Sequence, residues 1–173
     1  MNIYFEEYVN KNIKNKTIVI SCNDSYFVNS FIENKNIILC TFFANIIHSS
    51  SNLDLDYFKY CIENEGAKEI LIIGHYGCEI IPFLRTDKTK NHYWNLAKNY
   101  FKKLENNPFI KIDMENNQKQ IVWLNVIQQM IKISKMEIFN DKCNFEQVKI
   151  KGIIIDEVKN YEVEEINLDL NQV

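Results

Sequence analysis

Three short, continuous runs of apolar and β-branched residues constrain the fold of this chain more than any other feature of its sequence. They cover residues 17–21, 36–43 and 69–73. Strands that are covered on both faces in a parallel sheet have this pattern, whereas strands with one solvated face alternate apolar and polar residues. The sequence therefore predicts a parallel sheet buried between layers of helices.

Helical periodicity occupies the interval between the second and third runs. Phe58, Cys61 and Ile62 recur there at helical spacing, with Ser51 as a candidate cap before them. Gly66 follows as a residue suited to end a helix. These signals predict a β-α-β unit.

Further helices and a final pair of strands are predicted around this unit. The helices cover residues 1–9, 91–105 (closed by Pro108) and 118–133. Apolar alternation from residue 148 to 154 turns at Lys159-Asn160 into a second alternating segment. With no linker or repeat in the chain, we predict one α/β domain over residues 1–173: a mainly parallel central sheet flanked by helices, with a C-terminal strand or hairpin.

Composition excludes several classes of protein. Twenty Lys and Arg against 23 Asp and Glu give a formal net charge of −3, which does not suit a dedicated nucleic-acid binder. The 4 glycines are too widely spaced for a dinucleotide fingerprint or a Walker loop. No basic region followed by an apolar stretch occurs near Met1, and no run approaches about 18 apolar residues. We therefore expect a cytoplasmic protein without a membrane partner, in which the 5 cysteines are reduced thiols or metal ligands.

Chemically reactive side chains follow two of the predicted buried strands. Cys22 and Asp24 come directly after the first, and His75 and Cys78 come after the third. Ligands of open parallel sheets bind beyond the carboxyl ends of the strands, so these side chains are expected to meet at one edge. Two thiols and an imidazole form the ligand set of a catalytic zinc that keeps a fourth position open. Asp24 could occupy that position or accept a hydrogen bond from a zinc-bound water.

These residues form motifs that resemble those of the β-class carbonic anhydrases. The pair Cys22-x-Asp24-Ser25 and Gly74-His75-x-x-Cys78 carries the resemblance. Segments 124–126 and 151–156 are similar to the family's Asn-Val helix and its closing strand. The resemblance implies zinc held by Cys22, His75 and Cys78, an Asp24 that orients a zinc-bound hydroxide, and a homodimer or tetramer in which an N-terminal helix embraces the neighbour.

The chain departs from the family's pattern at the site itself. The family has an arginine after the Asp-Ser pair, which holds the aspartate off the metal by a bidentate ion pair, and here that position is Tyr26. Tyr26 could be a substitute hydrogen-bond donor to Asp24 or a packing residue. Glu79 stands where the family usually has glycine, and Phe42 and Phe43 lie in a segment that usually has a basic residue and glycine. Each change moves the site away from binding bicarbonate.

Three functions are compatible with these residues. The first is reversible hydration of CO2 to bicarbonate by a zinc-bound hydroxide, with the pocket kept apolar by Phe42, Phe43 and Tyr76. The second is a non-catalytic zinc-binding homologue in which Asp24 closes the metal site. The third is hydrolysis of another small heterocumulene. The sequence leans toward the enzyme, and the position of Asp24 separates the first two.

Overall fold

A computed structural model describes residues 3–31, 34–47, 52–86, 92–106, 117–136, 148–157, 159 and 161–167. Five α-helices and five strands lie in these ranges: α1 (Ile3–Asn12), β1 (Thr17–Cys22), β2 (Ile37–Phe42), α2 (Asn52–Glu63), β3 (Glu69–His75), α3 (Ile80–Thr86), α4 (His92–Glu105), α5 (Asn117–Ser134), β4 (Lys149–Asp156) and β5 (Glu162–Ile166). The predicted cap Ser51, the helix-closing Pro108, the turn residue Asn160 and Cys143 lie outside the described residues.

The strands form one sheet in the order β2-β1-β3-β4-β5. All neighbouring pairs are parallel except β4 and β5, which are antiparallel partners. The predicted α/β class, the mainly parallel sheet and the C-terminal hairpin are therefore confirmed. Because β1 and β3 are adjacent and parallel, their carboxyl ends lie side by side at one edge of the sheet.

Alternate residues of the central strands enter two separate apolar clusters on the two faces of the sheet. Ile18 and Ile20 of β1 pack with helices α2, α4 and α5, whereas Val19 packs with α1. Every residue of β1 and of β3 is buried, as the continuous apolar runs predict. The strand β2 differs, because it lies at the edge of the sheet and five of its six residues are partly or fully exposed.

The N-terminal helix packs on its own chain. We expect from the sequence that its apolar face has little to contact locally and reaches a neighbouring subunit, and this expectation is wrong for Phe5 and Val9. Phe5 is 1% exposed, and its ring meets the rings of Phe27 and Phe31 edge-on at 5.3 Å. The helix also continues to Asn12 rather than ending at Val9.

Two further observations concern the helices. Gly66 has φ +70°, the left-handed conformation in which glycine ends a helix without strain, so it follows α2 as predicted. In the described part of the chain, no helix combines the length and the apolar character that crossing a membrane requires.

Candidate metal centre

The four residues predicted to form a site lie together at the carboxyl edge of the sheet. Cys22 is the last residue of β1, His75 is the last residue of β3, and Cys78 precedes α3. Asp24 lies in the turn after β1. One ligand atom from each of the four residues falls within 4.8 Å of the other three. Cys22, His75 and Cys78 are all less than 5% exposed, and Asp24 is partly exposed.

The two carboxylate oxygens of Asp24 have different partners. Oδ2 accepts a hydrogen bond of 2.9 Å from the backbone amide of Glu79 and a longer one of 3.4 Å from that of Ile80. Oδ1 lies 2.9 Å from Nε2 of His75, inside the group of ligand atoms. The two amides at the start of α3, those of Glu79 and Ile80, therefore anchor Oδ2 and leave Oδ1 directed at the site.

Tyr26 does not serve Asp24 in either of the two ways considered from the sequence. Its side chain is 72% exposed rather than packed in the core, and among the described residues the partners of the Asp24 oxygens are His75, Glu79 and Ile80. The Glu79 side chain is exposed as well, and the contribution of this residue to the site is its backbone amide. Backbone amides were not foreseeable as partners of Asp24, because every residue except proline provides one.

His75 is held from both sides of its ring. Nε2 faces Asp24, and Nδ1 lies 3.3 Å from Oε1 of Glu157 in the turn after β4. Phe27 meets the imidazole edge-on at a centroid distance of 5.9 Å. Sequence reasoning missed Glu157, although its place directly after a strand of the same parallel sheet was a usable signal.

Burial and neighbouring charged or polar groups shift the pKa values of the four candidate ligands. Burial raises the pKa of Asp24, but hydrogen bonds from His75 and the cysteines outweigh it and hold this pKa well below its usual range. Burial lowers the pKa of His75, yet the contacts with Asp24, Cys78 and Glu157 raise it to about 11. The hydrogen bond between the two cysteines raises the pKa of Cys22 and lowers that of Cys78. A metal ion that binds here therefore displaces protons from His75 and Cys22.

The donor set fits zinc. Two sulfurs, one imidazole nitrogen and one carboxylate oxygen are the ligand types that Zn²⁺ takes in tetrahedral sites. Bonds of about 2.0–2.3 Å put tetrahedral ligand atoms roughly 3.3–3.8 Å apart, and the four atoms here already lie within 4.8 Å of one another. Thiolate ligands also disfavour the hard cations magnesium and calcium.

The other described cysteines are apart from this group. Cys40 and Cys61 are buried in the larger apolar cluster and do not belong to the group of four candidate ligands. They have the environment of small core residues, as the sequence predicts.

A buried polar network supports the segment that follows β2. Ala44 and Asn45 have φ of 52° and 56°, an unfavourable conformation for a residue with a side chain. The Asn45 amide donates to the carbonyl of Ile73 in β3, and the Asn125 amide donates to the carbonyl of Ala44, both at 3.0 Å. Tyr100 donates to Oδ1 of Asn125 at 2.9 Å. The Asn-Val segment noted in the sequence thus ties α5 to the turn beside the site.

Phe42, Phe43 and Tyr76 are partly buried at this edge of the sheet. The Phe43 ring meets Trp94 of α4 at 4.6 Å. Tyr76 turns toward β5, where its hydroxyl donates to Glu164 at 3.2 Å and Lys119 lies over its ring. The two phenylalanines therefore remain the candidates for an apolar wall.

The chain is similar in fold to several solved β-carbonic anhydrases. Against one of two tetrameric β-carbonic anhydrases from Sordaria macrospora the TM-score is 0.73, with 15% identity over 96% of this chain and 88% of that one. Against the Coccomyxa β-carbonic anhydrase in complex with acetazolamide the TM-score is 0.72, with 16% identity over 98% of this chain and 90% of that one. Against a wild-type β-carbonic anhydrase of Aspergillus fumigatus it is 0.69, with 16% identity over 88% and 90%.

A comparison of sequences assigns the family. No curated protein matches the chain. The model of the carbonic anhydrase family matches residues 17–160, which span the sheet from β1 to the turn after β4 and include all four residues of the candidate centre. The chain therefore belongs to the carbonic anhydrase family, with the fold of its β class.

Proposed function

We propose that this protein catalyses the reversible hydration of CO2 to bicarbonate with a zinc ion held by Cys22, His75 and Cys78. The observation that carries the proposal is the group of ligand atoms at the carboxyl edge of the sheet, in a chain that belongs to the carbonic anhydrase family. Zinc bound there would act as a Lewis acid that lowers the pKa of a water molecule toward about 7, which makes hydroxide available at neutral pH.

Asp24 has the geometry to orient the attacking water. Its Oδ2 is held by the amides of Glu79 and Ile80, so the carboxylate stays beside the site, and Oδ1, now 2.9 Å from Nε2 of His75, would accept a hydrogen bond from the water once Nε2 binds the metal. The low pKa of Asp24 keeps this group an acceptor at neutral pH. The carboxylate would thereby direct a lone pair of the water toward CO2.

Burial of the ligands supports the same chemistry. Cys22, His75 and Cys78 are almost fully shielded from solvent, which limits competing water and strengthens electrostatic interactions at the site. Among the nearby apolar side chains, Phe42 contacts the ring of Phe58 in the core, so a wall formed by it would be rigid.

One observation favours a second candidate, a zinc-binding homologue without activity. Oδ1 of Asp24 lies within the group of ligand atoms, at 2.9 Å from Nε2 of His75, and can therefore occupy the fourth metal position. A carboxylate that remained there would exclude the water that must attack CO2.

Zinc analysis combined with stopped-flow CO2 hydration tests the proposal. We expect one equivalent of zinc per chain and hydration above the uncatalysed rate, both lost in Cys22→Ser and both retained in the control variant Cys61→Ala. Zinc without hydration would favour the inactive homologue. A preparation that binds no zinc after zinc addition would refute both.

We also propose that the chain forms a homodimer or tetramer. The Sordaria macrospora proteins are described as tetrameric. Sedimentation velocity at micromolar concentration should give a species larger than a monomer, and a stable monomer would contradict this.

A further inference from the structure

We infer that Glu157 is a positioning residue of the metal centre, whose carboxylate accepts a hydrogen bond from Nδ1–H of metal-bound His75 and thereby directs Nε2 of that ring to the metal. The inference rests on the proposed zinc site. It adds to that site a residue that lies outside the ligand motifs, about eighty positions further along the chain.

The contact joins two buried atoms that need a partner. Nδ1 of His75 lies 3.3 Å from Oε1 of Glu157, and the two side chains are 2% and 13% exposed. In the described part of the chain neither atom makes a hydrogen bond, and at 3.3 Å the two are at ion-pair distance but not yet in hydrogen-bond geometry. A buried polar atom without a partner is destabilising, and more so if it is charged, so each atom is the natural partner of the other.

Gly77 provides the space in which the Glu157 carboxylate lies. A Cβ atom at position 77 would fall 2.0 Å from Oε2 of Glu157 and 3.1 Å from its Cδ. The φ angle of Gly77 is not in the left-handed region, so the backbone itself would accept alanine. An alanine in place of Gly77 would therefore displace the Glu157 carboxylate from its present position.

The chemical consequence concerns the orientation and tautomer of His75. A neutral imidazole that carries its proton on Nδ1 has its lone pair on Nε2, and Nε2 is the atom that faces Asp24 and the other ligand atoms. A carboxylate that accepts a hydrogen bond from Nδ1–H holds the ring in this state and makes Nε2 a better ligand for a metal. Without it, the ring would be free to rotate or to carry its proton on Nε2.

Zinc affinity of four variants, measured by competition with a chromogenic chelator, tests the inference. Glu157→Leu keeps the bulk but removes the acceptor, and loss of such a partner typically weakens metal binding about 10–100-fold. Glu157→Gln keeps an acceptor oxygen, so we expect affinity close to that of the wild type. Gly77→Ala displaces the carboxylate and should match Glu157→Leu. Glu162→Leu removes an exposed carboxylate at the start of β5 and should change nothing.

Two readouts separate positioning from a merely structural role. The double variant Gly77→Ala, Glu157→Leu should bind zinc no more weakly than either single variant, since both act on one contact. In proton NMR of the zinc-loaded protein, the Nδ1 proton of His75 should exchange slowly in the wild type and in Glu157→Gln, and rapidly in Glu157→Leu. If Glu157→Leu does not fold, the comparison of Gly77→Ala with Glu157→Gln carries the test.

The results also distinguish this inference from the proposed function. Equal zinc affinity in the wild type and in Glu157→Leu, or additive losses in the double variant, would overturn the role of Glu157 and leave CO2 hydration standing. A wild type that binds zinc but hydrates no CO2 would overturn the proposed function, while a weaker Glu157→Leu would still support the positioning role. A wild type that binds no zinc would overturn both.

Discussion

Replacing Tyr26 by arginine should open the metal centre and increase CO2 hydration. Oδ1 of Asp24 now lies among the ligand atoms, and Oδ2 is held by the amides of Glu79 and Ile80. A guanidinium two residues after Asp24 offers Oδ1 a partner other than the metal, and it need not compete with the amides. Because the Tyr26 side chain is 72% exposed, the substitution displaces no core residue.

The size of the effect follows from the exposure of position 26. A hydrogen bond to a charged group contributes about 1.5–3 kcal/mol, but an exposed ion pair is screened and contributes about 1 kcal/mol or less. Taking about 1–1.5 kcal/mol for a bidentate pair at a half-shielded carboxylate, the ratio of open to closed sites rises about 5- to 10-fold. If closed sites dominate in the wild type, kcat/KM for CO2 should rise by the same factor.

Stopped-flow hydration of CO2 at neutral pH measures this change at equal zinc content. Tyr26→Lys is the matched control, since it adds the same charge but cannot form a bidentate pair, and it should give a smaller increase. Equal increases in both variants would mean that general attraction of anions, rather than release of Asp24, limits the rate. A fast wild type that Tyr26→Arg leaves unchanged would refute the closed-site reasoning, and the amides of α3 would then be sufficient to restrain Asp24.

Two further predictions concern stability. Phe5→Ala should lower the free energy of unfolding by about 3–5 kcal/mol in urea titrations, since Phe5 is 1% exposed between Phe27 and Phe31, whereas the exposed control Glu7→Ala should change it little. Burial raises the pKa of Tyr100 above its ordinary value near 10, so its contribution to stability is fully present below pH 10 and is lost as the pH rises through the folded-state pKa. Tyr100→Phe should therefore be about 1–3 kcal/mol less stable at pH 8, because it breaks the bonds to Asn125 and Gln129, and it should lose less stability than the wild type on going to alkaline pH.

The part of the fold that the sequence predicts well is the part in which local pattern and tertiary environment agree. The runs around Ile20 and Ile72 are apolar on both faces because both faces are covered, and the structure buries every residue of those strands. Cys22 and His75 end these two strands, so predicting two parallel neighbours also placed their side chains at one edge. The run in β2 has the same composition, yet it lies at the sheet edge, which composition does not encode.

The supporting interactions of the site were beyond the sequence for a different reason. Asp24 is anchored by main-chain amides, which have no residue identity, and the side chains at both positions gave no sign of this role. The carboxylate beside Nδ1 of His75 belongs to Glu157 in the turn after β4, about eighty residues away, and its place directly after a strand was its one signal in the sequence. Tyr26 is visible in the sequence because it stands in place of an expected arginine. The amide hydrogen bonds that hold Asp24 instead depend on where α3 begins relative to the turn after β1.

In this chain the backbone amides of Glu79 and Ile80 hold Asp24, and Tyr26 stands where the resemblance implies an arginine. This difference changes the charge of the centre as well as the position of Asp24. The N–H groups at the start of α3 supply hydrogen bonds and partial charge, but no full positive charge. With Cys22 and Cys78 as thiolates, Asp24 and Glu157 ionised, and a divalent metal bound, the negative charges exceed the positive by two, and an arginine would reduce that excess to one. Like charges at short range in a shielded site repel strongly, so this centre disfavours an anion more than it disfavours a neutral molecule. Since the equilibrium constant fixes the ratio of kcat/KM for the two directions, the excess charge should appear in the separate constants as a high KM for bicarbonate, and Tyr26→Arg should lower that KM more than the KM for CO2.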